Sequence, residues 1–376
     1  MVRVLVNGVS SRSGGGLVIL RGYTDALARL TASGFDAEYF VAPPYPFART
    51  MPQTPGLRVL ELDSSGGRAF LARFYALELP RLVREHRIDV IVNLADLIVP
   101  MRTPQLYFFD WAYLVYRRDR ALWSRLSLSA RVSRGFKAAT IWSLLPFATR
   151  TVAQTMTMAV RFRDEVGREL PTVIPTPTDI AIQRRPWIPH SGAIRLLCLA
   201  NQAPHKNIDI LVAVARILND RGVDVRFALT LDRAAAKPIL ARAVNAGVAD
   251  RVFNIGSVER GALERTIRSF DGVIIPSLLE TYCLPFVEAM ACGVTVLAPN
   301  RDFARDVCKG AAFYFDPTIP DSVADSIREA FSDADDRRQR VELGYEIAAR
   351  LPSWDEFARA MHNEALEAIH AKNRST

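Results

Sequence analysis

Short apolar runs alternate along this chain with stretches whose apolar residues recur at helical spacing. Runs at 2–6, 37–41, 57–60, 90–92 and 106–109 are strand candidates, and the stretches at 17–30 and 68–86 repeat every three or four residues, as one face of a helix does. Beyond Trp111 the chain turns basic and aromatic, and a strand-helix-strand unit at 151–154, 156–169 and 172–174 closes the first half. Residues 175–192 hold four prolines, which interrupt either period. The rhythm then restarts, with strands expected at 194–199, 225–229, 252–255, 273–275, 295–298 and 312–315 and helices at 208–220, 234–246, 261–269, 286–291 and 322–332. From about 335 to 372 the chain reads as helical, with Trp354, Phe357, Met361 and Leu366 on one apolar stripe. Repeats of this kind build parallel sheets covered by helices. The expectation is an α/β protein of two facing Rossmann-like domains, 1–178 and 193–350, with a cleft between them. A proline-rich linker at 179–192 joins the two, and a helix at 351–376 packs back on the first.

The length of 376 residues agrees with two domains of roughly 180 residues each. Four cysteines, Cys198, Cys283, Cys292 and Cys308, show neither paired spacing nor a C-x-x-C, which argues against a disulfide scaffold or a zinc site and fits a reducing compartment. Charge is divided unevenly. Residues 1–185 carry 25 Lys and Arg against 15 Asp and Glu, whereas residues 186–376 carry 23 against 25. Within residues 100–150 nine basic residues meet two acidic ones, so this segment is expected to attract anions, an anionic membrane surface among them. No nucleic-acid-binding module accompanies the charge, and nucleic acid is not expected as a partner. The N-terminus reads directly as a strand, without a charged leader, and the apolar run at 138–148 is too short to span a bilayer. A cytoplasmic protein is expected, peripheral on the inner face of the membrane.

Three motifs carry chemistry. Gly14, Gly15 and Gly16 stand between the first strand and the first helix, where backbone N–H groups can approach a phosphate at the positive end of a helix dipole; a flexible turn is the alternative. In the second half, Asn201-Gln-Ala-Pro-His-Lys206-Asn207 fills the equivalent turn. Lys206 there is a point cation suited to a diphosphate, beside an asparagine able to cap the next helix; a solvated surface lysine is the alternative. The third motif is the most specific: Pro276-Ser-Leu-Leu-Glu280-Thr281-Tyr282-Cys283-Leu284-Pro285-Phe-Val-Glu288. Glu280 lies on a loop after a strand, and Glu288 lies about one turn into a helix that starts near Pro285. Carboxylates accept from sugar hydroxyls, and the amides of Tyr282, Cys283 and Leu284 can donate to phosphate oxygens. Phe286, Val287, Ala289 and Met290 look buried, so an unpartnered Glu288 among them is costly.

At this third motif the chain resembles the family 4 retaining glycosyltransferases of the GT-B fold, whose signature is a Glu-x7-Glu element, and Glu280 and Glu288 fall on its two glutamates. The resemblance is close over about residues 194–332, and with Pro204-His-Lys-Asn207 and the run 305–317 it points to a bacterial branch that builds surface polysaccharides. It implies a transferase that moves a hexose, mannose by family analogy, from a GDP- or UDP-linked sugar to a glycan or lipid-linked acceptor. Glu288 would bind the ribose hydroxyls, Glu280 the donor sugar and Lys206 the diphosphate, with the backbone of Thr281–Leu284, Asn201 and the Gly14–Gly16 loop assisting. No cofactor and no metal are expected. Thr281 and Cys283 replace two family glycines, and Ala200 and Asn201 stand where many members place an arginine. Asp110 is the one polar candidate near the position of a family histidine. A nucleotide-sugar 2-epimerase of the same fold and a non-catalytic nucleotide-sugar-binding subunit are the alternatives.

Overall fold

Thirteen parallel strands form two sheets in this computed structural model, which describes residues 1–45, 47–62, 67–94, 97–186, 190–199 and 201–374. The first sheet contains β1 (Val2–Asn7), β2 (Ala37–Ala42), β3 (Leu57–Val59), β4 (Val90–Asn93), β5 (Gln105–Phe108), β6 (Arg150–Ala153) and β7 (Thr172–Val173), in the order β3-β2-β1-β4-β5-β6-β7. The second contains β8 (Ile194–Cys198), β9 (Val225–Leu229), β10 (Val252–Asn254), β11 (Gly272–Ile274), β12 (Thr295–Pro299) and β13 (Ala312–Phe315), in the order β10-β9-β8-β11-β12-β13. Both are doubly wound. In each, the strand order reverses beside the first strand, between β1 and β4 and between β8 and β11, which opens a crevice at the carboxyl ends where such sheets hold ligands.

The strands are apolar because helices cover both faces. The helix Ile210–Asp220 shows how: Ile210, Leu211, Val214, Ala215 and Leu218 face inward at helical spacing, while the polar positions stay outside. The helical stretch expected at 68–86 is present as Gly67–Arg73, a π turn Phe74–Glu78 and Leu79–Glu85. One polar feature runs through the first core. Asn7 donates to Asn93 at 2.9 Å and Asn93 donates to Gln105 at 3.1 Å, linking three adjacent strands with all three side chains fully buried.

The chain clusters into two units that are not contiguous in sequence: the described residues of Met1–Arg117, Leu128–Pro177 and Pro352–Thr376 form the first, and those of Arg118–Ser127 and Thr178–Leu351 the second. The sequence places residues 118–127 in the first domain, but here they cluster with the second unit, where Asp119 pairs with Arg301 at 2.8 Å; Leu122 and Leu126 of this segment are buried. Of the linker expected at 179–192, residues 187–189 lie outside the described residues. The helical tail is two helices. Ala334–Ala349 stays with the second unit, and Trp354–Arg374 returns to the first. The stripe that the last helix buries is Phe357, Met361, Ala365 and Ala368; Leu366 falls beside it, half-buried. Ion pairs from Arg29 to Asp355 at 2.6 Å and from Arg150 to Glu364 at 2.7 Å flank the stripe, and Trp354 sits directly over Gly22, where any side chain would collide with its ring.

Candidate active site

In the second unit the turn after β8 and the loop after β11 meet at the point where the strand order reverses. Lys206 ends a short 3-10 turn, Pro204–Lys206, and its Nζ lies 2.6 Å from Glu280 Oε1, with both side chains largely buried. The backbone joins the same two loops, since Leu278 N–H donates to the His205 carbonyl at 2.7 Å. Burial works against the charge on Glu280, but the Lys206 ammonium outweighs it and holds the carboxyl below its usual range. The same contact overcomes the effect of burial on Lys206 and raises its pKa.

Asn207 does not cap the following helix, as its position in the sequence suggests. It takes a left-handed conformation, φ 53°, and is buried, donating to the carbonyls of Pro276 at 3.2 Å and Pro317 at 2.7 Å. One side chain thus ties together the loops after β8, β11 and β13. Its oxygen accepts from Arg125, a residue of the 118–127 segment.

The helix Leu284–Cys292 starts with Pro285 in its first turn, so the N–H groups of Cys283 and Leu284 stand at the end that lacks intrahelical acceptors. Cys283 caps that helix at φ 70°, a conformation that costs a residue with a Cβ roughly 1–2 kcal/mol. Cys283 thus holds a left-handed backbone that glycine would take without that cost. The hydroxyl of buried Tyr282 has no hydrogen-bond partner among the described residues, and burial raises its pKa. The four cysteines are all buried and unpaired, and burial pushes the Cys198 and Cys292 thiols up to about 12.

Glu288 is only 3% exposed, yet it is not alone: Arg260, from the turn after β10, pairs with it and with Asp179, the latter at 2.9 Å. Burial pushes the Glu288 carboxyl up and Arg260 pulls it down, with burial prevailing. Neither Arg260 nor Asp179 carries a local signal in the sequence, and only the cost of an unpaired buried glutamate hints that a cation must be near. Asn201 is exposed and is held through its carbonyl, which accepts from Ala203 N–H at 2.9 Å, while Ala200 lies outside the described residues.

Thr281 is buried in the second unit, while Gly14, Gly15, Gly16 and Asp110 belong to the first. Gly14 opens the helix Gly14–Ala32 at φ 62°, which suits glycine. A Cβ on Gly16 would stand 3.9 Å from an Asp110 carboxylate oxygen, so the glycine loop and Asp110 share one neighbourhood. Asp110 also accepts from Gln154 at 2.8 Å, and Gln154 accepts from Thr176 at 2.7 Å. The expectation of no metal rests on the absence of any Asp-x-Asp, but the chain has one, Asp333-Ala334-Asp335, a spacing able to hold a divalent cation. Asp333 instead caps the helix Ala334–Ala349, accepting from the N–H groups of Asp335 and Asp336. No cluster of three or more potential metal-ligating His, Cys, Asp or Glu residues occurs among the described residues.

Solved structures share this fold. Over 99% of its length the chain superposes on sucrose-phosphate synthase from Thermosynechococcus elongatus, covering 100% of that chain with a TM-score of 0.77 at 16% identity. The HepE protein of Anabaena in complex with UDP and glucose superposes with a TM-score of 0.71 at 16% identity, over 98% of this chain and 100% of that one. The fold is therefore GT-B. In sequence, 185 residues are 33% identical to a D-inositol 3-phosphate glycosyltransferase of Xylanimonas cellulosilytica, a stretch of 47% of this chain and 41% of the relative's length. The part of the chain that carries both glutamates and Lys206, residues 179–347, is matched by the model of the family described as Glycosyl transferases group 1.

Proposed function

We propose that the protein is a retaining glycosyltransferase that moves a hexose from a GDP- or UDP-linked sugar to a glycan or lipid-linked acceptor, with a mannose-type donor, in surface polysaccharide synthesis. The observation that carries the reading is the Lys206–Glu280 pair at the crevice where the second sheet reverses its strand order. A nucleotide-diphosphate sugar fits both halves of that pair. Its diphosphate exchanges for Glu280 on the Lys206 ammonium, and the released carboxylate accepts from hydroxyls of the sugar. The N–H groups of Cys283 and Leu284 add donors for the phosphate, and Glu288, oriented by Arg260, accepts from the ribose hydroxyls. As the glycosidic bond to phosphate breaks, negative charge grows on the leaving diphosphate, and preorganised donors there lower the barrier without a metal ion.

The test combines binding and turnover. GDP and UDP should each be offered in thermal unfolding, where the bound nucleotide raises the midpoint by mass action. The matching sugar nucleotide should then be consumed with release of free nucleotide, and Glu280→Ala should abolish that release. Recovery of an epimerised sugar nucleotide instead would overturn the transferase reading.

A membrane-borne acceptor is supported by the helix Leu128–Leu144 of the first unit. No helix among the described residues is long and apolar enough to cross a membrane. Yet Leu128, Val132 and Phe136, one turn apart, are 77%, 65% and 76% exposed on one face of this helix. Arg134 and Lys137 lie over the rings of Tyr113 and Trp111, so insertion of the three apolar side chains, more than bulk charge, drives the contact. Changing Val132 and Phe136 to aspartate should cut flotation with anionic vesicles by about ten-fold or more, given ~1.5–3 kcal/mol per buried side chain. Unchanged flotation would remove this helix from the contact.

A further inference from the structure

Around the Lys206 turn, at the carboxyl ends of the second sheet, one arginine stands without a carboxylate partner among the described residues. Lys206 is neutralised by Glu280, Arg260 by Glu288 and Asp179, and Arg301 by Asp119. Arg125 has no carboxylate partner among the described residues; the hydrogen bond of its side chain goes to the neutral amide oxygen of Asn207, next in the chain to Lys206. A guanidinium has five donors, and Arg125 is exposed, so most of them remain available.

Its position is fixed from both sides. Asn207 is itself held by the carbonyls of Pro276 and Pro317, so the acceptor that Arg125 meets cannot drift. The segment that bears Arg125 is anchored by buried Leu122 and Leu126 and by Asp119, which caps the helix Arg120–Ser124 through Leu122 N–H at 2.9 Å and pairs with Arg301 at 2.8 Å. A piece of the N-terminal half of the sequence thus delivers a cation to the Lys206 turn of the second unit.

We propose that Arg125 is the second cation for the diphosphate of the donor, acting beside Lys206. The inference rests on the nucleotide-sugar reading above and adds to it a ligand from outside the stretch that carries the sequence motifs. A diphosphate carries several negative charges, and Lys206 alone answers one. The planar fork of an arginine, tethered at one atom by Asn207, can turn its remaining donors to two phosphate oxygens at once.

Titration calorimetry with nucleoside mono- and diphosphates separates the claims: UDP against UMP, and GDP against GMP, on wild type, Arg125→Ala and Arg125→Lys. The wild type should prefer the diphosphate. Arg125→Ala should lose about ten-fold of that preference while holding the monophosphate as before, and Arg125→Lys should regain part of it. A preference unchanged in Arg125→Ala overturns the inference and leaves the site reading standing. Equal loss for mono- and diphosphate overturns it too, by assigning Arg125 a structural role. A wild type that binds none of the four overturns the site reading and this inference together.

Discussion

Lys206→Ala is expected to lower sugar transfer by about 10²–10³-fold, the cost of removing one preorganised donor from a site where charge develops. A second effect follows from the pair it breaks. In the wild type, burial pushes the Glu280 carboxyl up and Lys206 more than reverses this, so the folded pKa is lowered. A lowered carboxyl stabilises the fold above its unfolded pKa of about 4.3, and that contribution is lost as the pH falls through the folded value. The raised Lys206 stabilises below its unfolded pKa of about 10.4 and loses that contribution as the pH climbs through the folded value. Between about pH 5 and 10 the pair therefore contributes constantly. Without Lys206 the burial of Glu280 is opposed only by His205 and Ser277, its pKa should rise, and the stability of the variant should decline as the pH is raised toward neutrality. Adding Glu280→Ala should restore the flat profile but no activity. Transfer rates and urea unfolding at several pH values check both halves, and a single variant with full activity would remove Lys206 from the chemistry.

The second large effect is on stability. Arg260→Ala should cost about 2–4 kcal/mol at pH 8, because it strands Glu288 among Phe286, Val287, Ala289 and Met290. The sign of its pH dependence is set by the wild type, where burial already holds Glu288 above its ordinary pKa. Once Arg260 is gone that value climbs further, the folded state binds the extra proton over a wider range, and stability falls more steeply as the pH rises above about 4.3. The deficit should shrink toward pH 5. Arg260→Ala combined with Glu288→Gln should recover most of it, since a neutral amide needs no counter-charge. A loss independent of pH, or one that the double variant retains, would show that the arginine stem matters more than the buried carboxylate.

How far the site could be read from sequence follows from the range of its contacts. Lys206 and Glu280 each sit in the turn after a strand, and two turns at one crevice meet by topology alone, so the motif spacing and the strand rhythm were sufficient to bring them together. The partner of Glu288 was hidden because Arg260 stands on another loop, 28 residues upstream, with no periodic relation to it. The docking of residues 118–127 on the second unit was equally invisible. Its arginines look the same in sequence as those of the helix Leu128–Leu144, and only Leu122, Leu126 and the Asp119–Arg301 pair divide one basic run between two cores. The glycine-to-cysteine departure at 283 was legible as a change of residue but not in its outcome, since the left-handed backbone persists beneath a side chain that disfavours it.

The path of the chain constrains the order in which it can be assembled as it is made. It passes between the units at residues 117, 127, 177 and 351, so neither unit is a single stretch of nascent polypeptide. The first sheet is complete once β7 has emerged, yet the cover formed by Phe357, Met361, Ala365 and Ala368 arrives only after the whole second unit has been synthesised. Residues 118–127 must meanwhile wait for the loops after β8 and β12 before Arg125 and Asp119 find Asn207 and Arg301. Domains usually fold one after another in the order of synthesis. In this chain the two halves are interleaved, and a nascent chain stopped anywhere before residue 352 would leave the apolar groove of the first unit open to chaperones or to another copy of itself.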